Sequence, residues 1–384
     1  MNAGNPALIE FVRNEIRGGG PVSFAWFMEQ ALYHPEFGYY SSGRCQIGRH
    51  GDYFTNASVG PLFGRLLAAQ FAEMWELLGR PGDFVIVEQG AHHGDFARDA
   101  LSTARERSPD FFAALQYRIV EPFSVLQDRQ RGRLEEFRRK MAWEKSLDEM
   151  APFHGVHFSN ELLDAMPVHL IARKKDNSGW QERLVGLAGD EFVFVERPID
   201  DQRLRLQIEK LPPIPTSPYE TEVNVAALNW VASVSRKLTR GFVLAVDYGY
   251  ARGQFYAAER SSGTLQSYAG HRTLPSPLRG IGEADITAHV DWTSIAERAE
   301  ECGFTLNGFT DQYHFVTGLV SRLAGDQAAG EAAPSTRRAL QTLLHPELLG
   351  TRFQYLALGK DAPADRLSGF CLARDARCSV ELSD

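Results

Sequence analysis

The stretch whose reading decides the fold is Phe84 to Gly94, FVIVEQGAHHG. Phe84 to Val87 carry no polar interruption and read as a strand buried on both faces. The acid Glu88, two glycines and a helix start follow at once. In an open α/β sheet, a strand running into such a turn brings backbone close to a ligand at the carboxyl end of the strand. Glu88, Gly90 and Gly94 are therefore the first candidate ligand contacts. The alternative is a tight strand-to-helix connection whose glycines only permit the turn.

Downstream, a helix is expected over Asp95 to Arg107, then a second buried strand, QYRIVE, at 116–121. Its terminal Glu121 is placed to accept hydrogen bonds from the two hydroxyls of a ribose. The separation from the glycine turn exceeds the usual spacing, which an enlarged connection including SPDFF explains. A helix from Phe123 to Lys140 carries Arg129, Arg131, Arg133, Arg138, Arg139 and Lys140, read as a solvated face. A short strand near Met141 to Trp143 precedes another, GVHFSN at 155–160, which ends in the polar pair Asn160 and Glu161. If ELLDAMPVHL is helical, Glu161 and Asp164 stand at i and i+3 and face one crevice; the other reading is that both complement the helix dipole. GFVLAVDYGY at 241–250 repeats the pattern of buried strand, acid (Asp247) and glycine turn.

Residues 1–80 read as a mainly helical segment, with Leu8, Ile9, Phe11, Val12 and Ile16 on one face and a second helix over Val22 to Leu32. A loop rich in glycine and tyrosine follows, ending in GDYFT at 51–55, and Pro61 opens a helix through about Leu78. From about 167 to 218 the short alternating runs VHLIARKK, QERLVGLAG and EFVFVER predict antiparallel hairpins inserted on the parallel core. PPIPTSP reads as a stiff connector, Tyr219 to Leu238 as a long helix, and Ala251 to Val290 as a lid or substrate loop. Helices from Trp292 to Glu301 and from Gln312, and a final strand RFQYLAL at 352–358 paired antiparallel at the sheet edge, complete an α/β domain over 81–360. The tail 361–384 reads as peripheral.

The chain has 384 residues, with 43% hydrophobic and 23% charged side chains, as in ordinary globular proteins. With 41 basic and 49 acidic side chains the net charge is -8, which argues against a broad nucleic-acid surface. Cys45, Cys302, Cys371 and Cys378 form no C-x-x-C pair and have no histidines at zinc spacing, so neither a metal site nor a disulfide framework is expected. No segment is long and apolar enough to cross a bilayer, and no membrane partner is expected. A cytoplasmic protein is the resulting expectation.

GYY at 38–40, GDYFT, LFG at 62–64, VEQGAHHG, VEP at 120–122, NELLDAMPV at 160–168, VDYG at 246–249 and ADITAHVD at 284–291 occur in an order that resembles the MidA-like family, the group that includes the mitochondrial complex I assembly methyltransferase. The resemblance covers about residues 1–360. It implies a class I methyltransferase fold, a Rossmann-like seven-stranded sheet with its last strand antiparallel, binding S-adenosyl-L-methionine and methylating arginine nitrogen on a protein. It further implies that Glu88, Gly90 and Gly94 line the methionine part of the cofactor, that Glu121 holds the ribose, and that Asn160 and Glu161 lie beside the sulfonium. Asp52 and Thr55 would belong to the amino-terminal segment that covers the crevice. Glu161, Asp164 and Asp247 are the candidates for gripping the guanidinium. A respiratory complex subunit is the implied partner, and a homodimer is compatible with the chain.

Two positions depart from that pattern: the family turn reads like GPGRG where this chain has GAHHG, and Ala57 and Ser58 replace a Pro-Glu pair. They motivate an alternative, a degenerate member that keeps the fold as a binding or assembly factor. A nicotinamide oxidoreductase would require G-x-G-x-x-G after the first strand, and this turn is G-x-x-x-G.

Overall fold

The computed structural model describes residues 4–43, 56–174, 179–214, 217–270, 272–326 and 333–382. The chain divides into two compact units, Met1–Phe54 with Leu163–Asn229 and Tyr250–Asp291, and Thr55–Leu162 with Trp230–Gly249 and Trp292–Asp384. The cut falls elsewhere than a division at residues 80 and 360.

The second unit is built on strands β1 (Phe84–Gln89), β2 (Leu115–Val120), β3 (Met141–Glu144), β4 (Phe153–Asn160), β5 (Leu238–Tyr250), β6 (Thr305–Asp311) and β7 (Phe353–Lys360). They lie in the order β6-β7-β5-β4-β1-β2-β3. The pairs β1–β2, β2–β3, β1–β4 and β4–β5 are parallel, and β7 runs antiparallel to both β5 and β6. The final strand β7 thus forms the expected antiparallel pair at the sheet edge, lying between the edge strand β6 and β5. The chain leaves β1 toward β2 and β3, then returns to place β4 on the opposite flank of β1, so a topological switch point lies between β1 and β4. Two glycines let the middle strands approach. A Cβ at Gly155 would lie 2.0 Å from the Val85 carbonyl oxygen, and one at Gly241 would lie 1.9 Å from that of Gly155.

The apolar runs bury as expected: Phe84, Ile86, Val87, Val156, Phe158 and Phe242 to Val246 are all core residues. The helix Leu62–Leu77 adds Phe71, set edge-on to Phe96 and Phe158, whose own rings stack with centroids 4.5 Å apart. The tail is integral to this unit, against the reading of it as peripheral. Leu367, Phe370 and Val380 are buried, the Glu73 carboxylate accepts the Ser368 N–H and hydroxyl, and Gln70 accepts the Gly369 N–H. Only long-range packing reveals this, because the tail has too little local periodicity to announce a core face.

The first unit centres on strands Val22–Ser23, Trp180–Ala188, His169–Arg173 and Tyr219–Val223, adjacent in that order, with Glu191–Arg197 also paired to Trp180–Ala188. The hairpins expected between 167 and 218 are present. Helices Pro6–Gly19 and Phe24–Tyr33 bury Leu8, Val12, Phe24 and Phe27 in a core shared with Val168, Leu170 and Val185.

Other expectations change here. Tyr219 to Val223 is a strand paired with His169–Arg173, and the helix starts only at Val225. The cross-strand partner overrides the helical reading of YETEV. The segment 251–290 is no open lid: Gln266–Ala269 pairs with Asp285–Thr287 and with Arg272–Thr273, and Ile281, Ile286 and Ala288 are core. The basic helix ends at Arg133, and Glu135–Lys140 is a separate tighter turn of 3-10 helix.

Candidate functional site

The parallel register sets five strands, β1 to β5, level with one another in one row. Gln89 lies opposite Val120 and Ser159, Val120 opposite Glu144, and Asn160 opposite Val246. Just past this level stand the glycine turn, Glu121 and Glu161, with Asp247 beside them inside β5.

Glu88 does not face outward from this row. It is buried, and its Oε2 accepts the Tyr117 hydroxyl at 2.8 Å. Burial pushes its carboxyl up to about 7, and the Tyr117 bond pulls the other way. The turn after it is left-handed at three residues, Gly90 (φ 84°), His92 (φ 46°) and Gly94 (φ 82°). Histidine is among the residues that tolerate this region better than most. Gly94 N–H closes the turn on the Ala91 carbonyl at 2.8 Å and caps the helix Asp95–Arg107. The His92 and His93 rings stack with centroids 3.8 Å apart, and His93 Nε2 lies 3.2 Å from Arg129 Nη1. Burial, then the Arg129 charge, lowers the His93 pKa.

Glu121 is buried just past β2, with its carboxyl held in place. Oε1 accepts the Phe123 N–H at 3.1 Å and Oε2 the Gln130 amide at 3.1 Å, while Gln127 Nε2 donates to the Glu121 backbone carbonyl at 2.7 Å. Burial raises its pKa to about 7 in spite of the Phe123 and Gln130 bonds. Gln130 Nε2 also donates to the His92 carbonyl at 2.8 Å, and its Oε1 accepts the Trp143 indole N–H at 2.9 Å.

At the end of β4, Asn56 Nδ2 donates to Asn160 Oδ1 at 3.3 Å, and Asn160 Nδ2 donates to Glu161 Oε1 at 2.7 Å. The order of donors follows from Glu161, because an ionised carboxylate can only accept. Glu161 is half-buried with φ 55°, and its N–H donates to the Val246 carbonyl at 2.9 Å. Asp247 is buried; Oδ2 accepts the Leu162 N–H at 3.1 Å and Oδ1 the Tyr248 N–H at 2.8 Å.

The expected helical turn placing Glu161 and Asp164 on one face is absent. Residues 161–168 are bends and turns: Glu161 sits at a left-handed φ of 55°, outside the helical region, and Pro167 stops any helix within six residues of it. Asp164 belongs to the other unit, where it is buried and its carbonyl accepts the Ala288 N–H at 2.9 Å. Asp52 and Thr55 lie outside the described residues. The structure thus brings together Gly90, Gly94, Glu121, Asn160, Glu161 and Asp247 at the strand ends, with Glu88 behind them. Sequence reading missed Gln130, Trp143 and Asn56. The one available signal was Gln127 and Gln130, two amides three apart on a helix otherwise rich in charge, where a buried polar face needs a partner.

The comparisons point the same way. Residues 66–310 match the model of a family described as "Putative S-adenosyl-L-methionine-dependent methyltransferase". A Drosophila melanogaster protein named protein arginine methyltransferase NDUFAF7 homolog, mitochondrial, is 26% identical over 93% of this chain and 85% of its own length. The human protein arginine methyltransferase NDUFAF7, mitochondrial, is 24% identical over 98% of this chain and 88% of its own. A Burkholderia thailandensis protein solved bound to S-adenosyl-homocysteine is 30% identical, covers 95% of this chain and 94% of its own, and superposes with a TM-score of 0.85. Against these relatives the cytoplasmic expectation falls, since the Drosophila and human proteins are mitochondrial by name. It rested on cysteine spacing and hydropathy, which do not separate one reducing compartment from another.

Proposed function

The chain belongs to the S-adenosyl-L-methionine-dependent methyltransferase family, and from that premise we propose that it transfers a methyl group to an arginine nitrogen of a protein. The observation that carries the reading is the single row of strand ends, where the left-handed turn, the Glu121 carboxyl and the Asn160–Glu161 pair converge beside the switch point. The residues present fit the cofactor. An ionised carboxylate has about four acceptor sites, and Glu121 uses two of them internally, leaving room for a ribose diol. A Cβ at Gly90 would have the Leu162 side chain at 3.5 Å as its nearest neighbour, so the turn's backbone can be approached closely.

Bound S-adenosyl-L-methionine supplies an electrophilic methyl on a sulfonium. This chain's contribution is position. Glu121 would hold the ribose, and the turn would present backbone to the methionine part. Glu161, oriented by Asn160, would grip a guanidinium by charge-assisted hydrogen bonds and hold the proton released as the new N–C bond forms. Asp247, with each oxygen engaged by a backbone N–H, acts as a pin for the strand-end loop. Arginine as the methylated residue draws on the names of the Drosophila and human relatives. A respiratory complex subunit is the partner to try first, and light scattering reads whether the chain is a homodimer.

Calorimetry with S-adenosyl-homocysteine tests this: micromolar binding by the native chain, lost in Glu121→Ala, is expected. Absence of binding by the native chain overturns it. Glu161→Gln is then expected to retain that binding and to lose methyl transfer to an arginine peptide.

A further inference from the structure

We propose that Gln130 is the positioning residue of the cofactor site, one side chain that locks the glycine turn to the ribose acid. The inference rests on the methyltransferase reading above. Gln130 is fully buried and spends both its donors and its acceptor on three different elements. Nε2 reaches the His92 carbonyl of the turn at 2.8 Å and Glu121 Oε2 after β2 at 3.1 Å, and Oε1 receives Trp143 Nε1 of β3 at 2.9 Å. An indole N–H can only donate, so Trp143 dictates which end of the amide is oxygen and forces both N–H groups toward His92 and Glu121. The amide cannot flip without setting donor against donor.

Two consequences follow. The His92 carbonyl is gripped whatever side chain residue 92 carries, which accounts for a left-handed histidine where the family pattern has glycine. Gln130 also favours the ionised form of Glu121, the form that accepts both ribose hydroxyls, against the burial that opposes it. The other titratable side chains on the elements packed around Glu121 are Glu88 on β1, Tyr117 and Arg118 on β2, His92 and His93 on the turn, Asp128, Arg129, Arg131 and Arg133 on the helix, and Glu144 on β3. Arg129 is engaged with His93 and Arg133 with Asp95, which leaves the Gln130 amide as the helix's side-chain contact with the Glu121 carboxyl.

The test is S-adenosyl-homocysteine calorimetry across pH 5 to 9 on the full chain. In the native protein, affinity rises with pH and levels off above the Glu121 titration near 7. Gln130→Leu, close in shape but without donors, is expected to lose roughly 10-fold or more in affinity at pH 7. It should also move the rising limb upward by roughly one pH unit, so that much of the loss is recovered at pH 9. In a Glu121→Gln background Gln130→Leu no longer moves the limb, because the carboxyl it acts on is gone, while any pH dependence from Glu88 is the same with and without Gln130. Trp143→Phe keeps the ring beneath Arg131 and frees the amide, and is expected to move the limb in the same direction by less. If Gln130→Leu does not fold, Trp143→Phe decides alone. A loss of affinity equal at every pH, or none, overturns the proposal while leaving the methyltransferase reading intact. Absence of binding by the native chain at any pH overturns both.

Discussion

Asp247 Oδ2 accepts the backbone N–H of Leu162 at 3.1 Å, which ties the carboxyl end of β5 to the chain leaving β4. Its Oδ1 takes the Tyr248 N–H at 2.8 Å, so both oxygens serve the scaffold. In Asp247→Asn one buried N–H would meet an amide NH2 in place of an acceptor. The expected cost is about 1–3 kcal/mol of unfolding free energy, read by urea denaturation. Glu161→Gln, at a half-buried position, is expected to stay within about 1 kcal/mol of the native chain. Equal losses in the two variants would erase the division of roles drawn between them.

Glu88 gives a pH dependence with a definite sign. Its folded-state pKa is raised to about 7 from 4.5, so it contributes stability that is fully present below pH 4.5 and is lost as pH rises through 7. Glu88→Gln removes the titrating group and keeps the shape. Relative to the native chain, the variant should gain on the order of 3 kcal/mol between pH 4.5 and 8. Urea midpoints at these two pH values measure it; a stability difference independent of pH would show that folding leaves the Glu88 pKa unshifted.

His92→Gly separates a working turn from a blocked one. Glycine relieves the left-handed φ of 46° and adds freedom to the unfolded chain, two effects of about 1 kcal/mol that oppose each other. Stability is expected to change by less than about 1 kcal/mol, and S-adenosyl-homocysteine affinity by less than roughly threefold, since Gln130 holds the carbonyl in both chains. Binding seen only in the glycine variant would restore the reading of a binding or assembly factor with a closed site.

The tail makes a fourth test. Phe370 is buried, edge-on to Phe315 with centroids 5.2 Å apart, and sits against Gly308 on β6. Phe370→Ala is expected to cost about 3–5 kcal/mol, seen as a lowered unfolding midpoint. A peripheral tail would give a loss too small to resolve.

Local pattern alone determined the strands and much of the helical frame of this protein. FVIVE, GVHFSN and GFVLAV bury on both faces, QYRIV alternates with Gln116 exposed and Arg118 half-buried, and the helix Asp95–Arg107 begins and ends where its glycine and charge signals place it. Glu121, Asn160 and Glu161 were legible because an acid or amide just past a buried strand has few places to go. Tertiary structure decided what depends on partners distant in sequence. YETEV became a strand because His169–Arg173 lay beside it, and NELLDAMPV did not become a helix because Glu161 is held in a left-handed conformation, with its N–H on Val246 and that of Leu162 on Asp247. Gln130 shows the limit most clearly. Its meaning lies in three hydrogen bonds, to residues 38, 9 and 13 positions away. A buried amide is specified by the geometry of its partners, which no periodicity along the chain encodes.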